Sequence, residues 1–233
     1  MSKTLLLAGC SHTTGFGLKQ EEKYWGQLFA EEYGYEITNV ALAGSSLIYS
    51  INKIVEELNS NNFDLIILQL TDLERISIGI NGKQNFIKGK VEDTREVIEH
   101  ITVARYLDAV DKKENGIKFI YENILLSDFY LNNLINNLVL LQKFTKLLNT
   151  KLVLLPYDYN NWDINRKSSI WNLKNSQKIN RDYYIEEPFL KWLKTNYNYD
   201  DYFLDKGFHL NQEGQKLFTF EYLIPNLKKL FII

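Results

Sequence analysis

The feature that most constrains the fold is a series of short apolar runs of strand length that alternate with segments of helical periodicity. Residues 4–8 and 36–41 are two such runs, and residues 64–70 form a third that is almost continuously apolar. Continuous apolar runs of this length are typical of strands buried on both faces of a parallel sheet. Because helical segments separate the runs, the pattern predicts a right-handed, doubly wound α/β sheet.

Residue types at the ends of the helical segments predict where helices begin and end. Residues 21–33 carry apolar side chains at helical spacing, and Gly34 is the residue type expected just after a helix. Ser45 or Ser46 is predicted to cap a helix that runs to about residue 58. Further along the chain, helices are predicted at residues 121–148, 188–195 and 211–230, and a fourth strand at residues 151–155.

Two regions depart from the alternating pattern. In residues 76–86, Asn81-Gly82 lies between short apolar runs and predicts a hairpin, and residues 91–110, which include His100, are predicted to form a helix. Residues 157–184 are rich in Asn, Tyr and Trp without a clear period. The simplest interpretation is one domain over residues 1–233, with insertions near 75–115 and 157–185, a length that suits a single α/β domain.

Composition excludes several classes of protein. With 45% hydrophobic and 14% aromatic residues the chain has enough apolar surface for a full core, which excludes a disordered protein. A net charge of −2 gives no electrostatic reason to expect a nucleic-acid or membrane partner. Three dispersed histidines and one cysteine provide no metal-ligand spacing, and the glycines after the first strand do not match a dinucleotide fingerprint. We therefore expect no metal and no cofactor.

One targeting signal competes with this interpretation. Leu7-Ala8-Gly9-Cys10 matches a bacterial lipoprotein cleavage box. The apolar stretch before it is only about five residues, against about 7–15 for a signal sequence, and cleavage there would remove the first predicted strand. No apolar run approaches the roughly 18 residues of a membrane span. We therefore expect the run to be a buried strand and the protein to be cytoplasmic.

Two polar stretches at opposite ends of the chain predict one nucleophilic site. The first strand ends at Gly9-Cys10-Ser11-His12, and Asp205 precedes His209 near the other end. A Ser at the end of a parallel strand lies at the carboxyl edge of the sheet, where an Asp and a His can serve as orienter and base. Alternatively, Ser11 only shapes a turn, and His12 is either a second polar group of the pocket or packs beside that turn.

These stretches resemble conserved blocks of the SGNH (GDSL-like) hydrolases, a family of esterases and acyl-transfer enzymes. Gly9-Cys10-Ser11 with Gly15 is similar to the first block, and residues 39–46 are similar to the second, in which the N–H of Gly44 would serve the oxyanion hole. Asp205 to His209, followed by Gly214, is similar to the last block. The blocks span almost the whole chain in the family's order.

The resemblance implies both a fold and a chemistry. The implied fold is a three-layer αβα sandwich with a parallel, flavodoxin-like sheet of about five strands. The implied function is ester hydrolysis or acyl transfer through an acyl-enzyme on Ser11, with His209 as base and Asp205 as its orienter. The partner would be a small-molecule or glycan ester substrate.

The chain also departs from the family's pattern. The spacing between Asp205 and His209 is one residue longer than usual, so Asp200 or Asp201 could supply the carboxylate instead. The third block, Gly-x-Asn-Asp, is missing, and Leu73 stands where the oxyanion Asn would fall. Loss of one such donor typically costs about 10²–10³ in turnover. Three side chains are candidates to replace it, with Thr71 and Arg75 ranked equally and Gln69 behind them.

A second interpretation is a non-catalytic binding module on the same fold, with glycans as a candidate ligand. The missing block-three Asn supports it, as does the aromatic-rich insertion after the fourth strand. Those aromatic side chains could form a sugar-stacking surface or could cover an edge of the core. The residues concerned are Tyr157, Tyr159, Trp162 and Trp171.

Overall fold

A parallel sheet of four strands forms the centre of the protein. The computed structural model describes residues 2–71, 73, 76–79, 100–103, 128–157, 162–163, 170–204 and 209–233. In these ranges the strands are β1 (Lys3–Ala8), β2 (Tyr35–Asn39), β3 (Leu65–Leu70), β4 (Ile76–Gly79), β5 (His100–Val103) and β6 (Lys151–Pro156). The central sheet has the order β2-β1-β3-β6, and all three of its strand pairings are parallel. The predicted parallel α/β sheet is confirmed.

The sheet has nearly the predicted number of strands. Four strands form the ladder, and an isolated parallel bridge joins Leu154 of β6 to Tyr184 on the outer side of that strand. The N–H of Ile185 donates to the carbonyl of Leu154 at 3.1 Å, and the N–H of Leu154 donates to the carbonyl of Tyr183 at 2.9 Å. A single bridged residue therefore occupies the position where a fifth strand would pair.

The helices follow the predicted ranges closely. They are α1 (Ser11–Thr14), α2 (Trp25–Tyr33), α3 (Leu47–Leu58), α4 (Asp128–Leu147), α5 (Phe189–Asn196), α6 (Gln212–Leu217) and α7 (Ile224–Lys229), with a π-helical segment, Phe218–Leu223, between the last two. Gly34 ends α2, as predicted. Ser46 rather than Ser45 caps α3, because its Oγ accepts from the N–H of Tyr49 at 3.2 Å. No helix in the described ranges is long and apolar enough to span a membrane.

Two apolar layers cover the faces of the sheet. Because side chains alternate along a strand, Leu5 and Leu7 face one layer while Leu6 and Ala8 face the other. The first layer contains side chains of α2, α5 and the C-terminal helical segments, and the second contains side chains of α3 and α4. The predicted three-layer αβα sandwich is confirmed.

The prediction for residues 76–110 was partly wrong. The partner of β4 is β5, in antiparallel register with Ile76 opposite Val103, so a helix over residues 91–110 is incorrect at residues 100–103. Three consecutive β-branched residues, Ile101-Thr102-Val103, favour extended backbone, and short apolar runs do not distinguish strand from helix by period alone. Asn81-Gly82 and the rest of residues 80–99 and 104–127 lie outside the described residues.

Candidate active site

The first strand delivers Ser11 to the carboxyl edge of the sheet. β1 ends at Ala8, and α1 begins at Ser11, which is 8% exposed. A Cβ on the intervening Gly9 would lie 2.7 Å from both Cβ and Oε1 of Gln69. Since such a contact is too short for any side chain, glycine at this position allows the turn to approach β3.

Gln69 fixes the turn that carries Ser11. It is buried on β3, and its Oε1 accepts from the N–H of Cys10 at 3.3 Å and from the hydroxyl of Thr13. Its Nε2 lies 3.4 Å from Sγ of Cys10. Gln69, the third candidate for the missing oxyanion donor, therefore points toward the turn and α1 and already has partners there. Its side chain is used to hold the residues on both sides of Ser11.

The second block lies against the first. Residues 42–45 form a turn closed by the N–H of Ser45 and the carbonyl of Leu42 at 3.0 Å, in which Gly44 has a φ of 77° that favours glycine. The carbonyl of Gly9 accepts from Oγ of Ser45 at 2.8 Å and from the N–H of Leu42 at 3.2 Å. Within the described part of the chain, the N–H groups of Ser11 and Gly44 donate to no acceptor. Neither N–H is used within the described residues, as the oxyanion role expected of Gly44 requires.

The loop before α6 places His209. The N–H of Leu204 donates to the carbonyl of His209 at 2.8 Å, and Phe203 and Leu210 form an antiparallel bridge. These contacts hold together the two ends of the segment that contains Asp205. Asp205 itself, with residues 206–208, lies outside the described residues.

His209 lies beside the turn that carries Ser11. The centroid of its ring is 5.1 Å from that of His12 and 4.9 Å from that of Phe16. His12 directly follows Ser11 in α1, so the structure brings the two polar stretches of the sequence together. The Ser11 hydroxyl forms no hydrogen bond with His209 or with any other described residue, and such contacts are often long in unliganded sites.

Asp200 and Asp201, the alternative candidates for the carboxylate, face solvent. Both are exposed residues of a 3₁₀ turn, Tyr199–Tyr202. One carboxylate oxygen of Asp201 accepts from the side-chain amide of Asn198 at 3.0 Å. Neither residue has a described contact with His209.

Thr71 is a buried hydroxyl at the carboxyl end of β3. The residue is 2% exposed, and its Oγ1 has no hydrogen-bond partner among the described residues. Its carbonyl accepts from the indole N–H of Trp162 at 2.9 Å, which fixes the backbone. Leu73, in the position of the family's Asn, is also buried, and Arg75 lies outside the described residues. Thr71 is therefore the described candidate with an unused donor.

The aromatic residues after β6 are part of the core. Tyr157 and Trp162 are buried, and the indole N–H of Trp171 donates to the carbonyl of Trp162 at 3.0 Å. The Tyr184 hydroxyl donates to the same carbonyl, and burial raises the pKa of Tyr184 well above its ordinary value, so it stays neutral. These residues fit the interpretation in which they cover an edge of the core. Tyr159 lies outside the described residues.

A groove of about 630 Å³ opens at the opposite edge of the sheet. It is lined by residues at the beginnings of strands, among them Lys3, Tyr35 and Lys151. Asp64, in the same groove, accepts from the N–H of Thr4 at 2.7 Å and so ties β3 to β1. Ligands of open parallel sheets bind outside the carboxyl ends of the strands, which is the edge with Ser11. The groove is therefore separate from the candidate site.

Solved structures match this chain over nearly its whole length. They include the psychrotrophic esterase EstA of Pseudoalteromonas sp., inhibited by monoethylphosphonate, with a TM-score of 0.57 and 15% identity over 98% of both chains. TesA matches with a TM-score of 0.52 and 16% identity over 98% of this chain and 99% of its own. A catalytic mutant of Axe2, an acetylxylan esterase of Geobacillus stearothermophilus, matches with a TM-score of 0.54 and 13% identity over 97% of this chain and 94% of its own.

These comparisons establish the class of fold. The chain shares its fold with the esterases EstA and Axe2 and with TesA, and the fold implied by the resemblance of its sequence blocks is confirmed. No protein-family model and no curated protein matches the chain by sequence. At identities of 13–16% the structural likeness shows the fold, so the chemistry must be argued from the site.

Proposed function

We propose that this protein is a serine ester hydrolase in which Ser11 is the nucleophile, His209 the general base and Asp205 the orienter of His209. The observation that carries the proposal is the position of the His209 ring beside His12 and Phe16, two rings of the segment that begins with Ser11. The shared fold supports the reaction class. In Axe2, replacement of a serine, an aspartate or a histidine is described as a catalytic mutation, which supports the same three residue types here.

The reaction proceeds in two displacements. The Ser11 hydroxyl attacks the ester carbonyl carbon while His209 removes its proton, and the resulting tetrahedral intermediate collapses as His209 returns that proton to the departing alcohol. A water molecule, deprotonated by His209, then attacks the acyl-enzyme, and the second intermediate collapses to the acid as His209 gives that proton to Oγ of Ser11. Asp205 keeps His209 in the tautomer that can accept the Ser11 proton and stabilises the imidazolium.

Three donors would stabilise the negative oxygen of each intermediate. The backbone N–H groups of Ser11 and Gly44 have no acceptor among the described residues. The Thr71 hydroxyl supplies the third donor, because it is buried and without a partner there. A buried hydroxyl left unsatisfied costs about 1–3 kcal/mol, and a substrate oxygen would satisfy it during the reaction. Arg75 remains the alternative donor.

Thr71 gives a direct test of the oxyanion site. Thr71→Val keeps the shape of the side chain and removes the hydroxyl, so we expect kcat to fall by about 10²-fold. Thr71→Ser keeps the hydroxyl and should retain kcat within about 5-fold. Since the hydroxyl has no described partner, urea unfolding should show no loss of stability for the Val variant. A Val variant with wild-type kcat would exclude Thr71 and leave Arg75.

The proposed substrates are esters of short acyl groups on small alcohols or glycans. Glycan esters are included among these substrates because an acetylxylan esterase shares the fold. The buried surroundings of Ser11, which is 8% exposed, favour a small acyl group over a long chain. Acyl transfer to a second alcohol would use the same acyl-enzyme, with the alcohol in place of water.

A fluorophosphonate probe tests the proposal, because only an activated serine reacts with it. We expect the wild-type protein to gain the mass of one probe less hydrogen fluoride, located at Ser11 by peptide mapping. His209→Ala should not be labelled, whereas Ser60→Ala, which removes an exposed serine just after α3, should be labelled like the wild type. An unlabelled wild-type protein would instead favour the non-catalytic binding module.

A further inference from the structure

The ring of His209 lies against two aromatic side chains that belong to the nucleophile's own turn. The ring planes of His209 and His12 are tilted by 35° with their centroids 5.1 Å apart, and those of His209 and Phe16 are tilted by 47° at 4.9 Å. His12 directly follows Ser11, and Phe16 follows Gly15, which ends α1. The segment that delivers the nucleophile therefore also provides the packing surface for the base.

His12 is itself fixed from two other directions. Its ring stacks on Tyr157, with an angle of 18° between the planes and 3.8 Å between the centroids. Tyr157 follows β6 and packs on Phe189 of α5 at 5.3 Å. The carbonyl of His12 accepts from the indole N–H of Trp25 at 3.1 Å. A continuous set of contacts thus connects the core of the protein to the ring of His209.

We propose that His12 and Phe16 are positioning residues, which hold the His209 imidazole in the orientation that lets it accept the Ser11 proton. The backbone of His209 is held by the contact of its carbonyl with the N–H of Leu204. Packing of the ring against His12 and Phe16 constrains its rotation, in addition to the orientation by Asp205 that the proposed function includes. Because His12 acts through its ring face, a phenyl ring should replace it. The inference rests on the proposed function of His209.

Four variants separate positioning from simple packing. His12→Ala removes the ring, and we expect kcat to fall by about 10–100-fold with KM changed less than about 2-fold, since a misplacement of about 1 Å can cost 10²-fold. His12→Phe keeps a ring face, so we expect it to recover at least half of the loss in log kcat that His12→Ala shows. Phe16 is 46% exposed, so Phe16→Ala should lose only about 3–10-fold, with Phe16→Tyr close to the wild type.

The histidine side chains give a readout that does not depend on turnover. The chain has three histidines, so a ¹⁵N-histidine correlation spectrum is simple. The wild-type His209 ring should give one set of sharp resonances from a single tautomer, and His12→Ala should broaden or split them. His12→Phe should restore the single set. Urea unfolding of each variant shows that the fold is retained.

The outcomes distinguish this inference from the proposed function. If the wild-type protein takes no fluorophosphonate label, the proposed function fails. In that case the His209 resonances decide the positioning role: it also fails if His12→Ala leaves them as a single set. If the wild type is labelled but His12→Ala keeps wild-type kcat and a single set of His209 resonances, the positioning role is overturned while the esterase stands. A loss of kcat in His12→Ala that His12→Phe does not recover would also overturn it.

Discussion

Ser11→Ala is expected to lower kcat on short-chain aryl esters by about 10⁴-fold or more, because no acyl-enzyme can form without the hydroxyl. The residual rate would come from oxyanion stabilisation and substrate binding alone. A stopped or initial-rate assay with a p-nitrophenyl ester measures the effect directly. Ser60→Ala is the matched control, since it removes an exposed hydroxyl far from the turn and should leave kcat unchanged.

The same substitution should leave the fold intact. The Ser11 hydroxyl has no hydrogen bond to a described residue, and the turn is held by Gln69 through Cys10 and Thr13 instead. We therefore expect the free energy of unfolding of Ser11→Ala to lie within about 1 kcal/mol of the wild type. Wild-type turnover in a folded alanine variant would show that Ser11 only shapes the turn.

The fold was predictable because the sequence carries strong, regular patterns where packing demands them. β3 is buried on both faces, so its sequence is almost continuously apolar. α3 is buried on one face, so its apolar residues recur at helical spacing. β5 was missed because its four residues are too short for a period to be read. Likewise, the choice between Ser45 and Ser46 depended on a tertiary contact, because the Ser45 hydroxyl donates to the carbonyl of Gly9 and Ser46 accepts from the first turn of α3.

The candidate site shows a similar division. Ser11 was predicted from its position at the end of a buried strand, and His209 from its spacing to Asp205 and the resemblance of that stretch to the family's last block. The stack of His12 on Tyr157 joins α1 to the residue after β6, and no spacing in the sequence encodes a contact between segments so far apart. Gln69 could be assigned to a helix-facing direction by strand alternation, but its partners Cys10 and Thr13 could not.

Asp205→Asn is the second substitution with a large expected effect. An asparagine can hold His209 only in the wrong tautomer and cannot stabilise its imidazolium, so we expect kcat to fall by about 10³–10⁴-fold with little change in KM. The backbone contact between Leu204 and His209 supports Asp205 as the partner, because it joins the ends of the segment that contains this aspartate. Gly207 in that segment tolerates unusual backbone conformations, which would absorb the extra residue between Asp205 and His209.

Asp201→Asn is the matched control for this prediction. Asp201 is exposed and its carboxylate accepts from Asn198, so its replacement should change kcat by less than about 2-fold. Both variants are assayed with the same p-nitrophenyl ester and with the fluorophosphonate probe, whose rate of labelling reports activation of Ser11 alone. A large loss of kcat in Asp201→Asn, together with wild-type labelling of Asp205→Asn, would assign the role of orienter to Asp201. The unusual spacing between Asp205 and His209 would then mean that a different aspartate serves His209 in this chain.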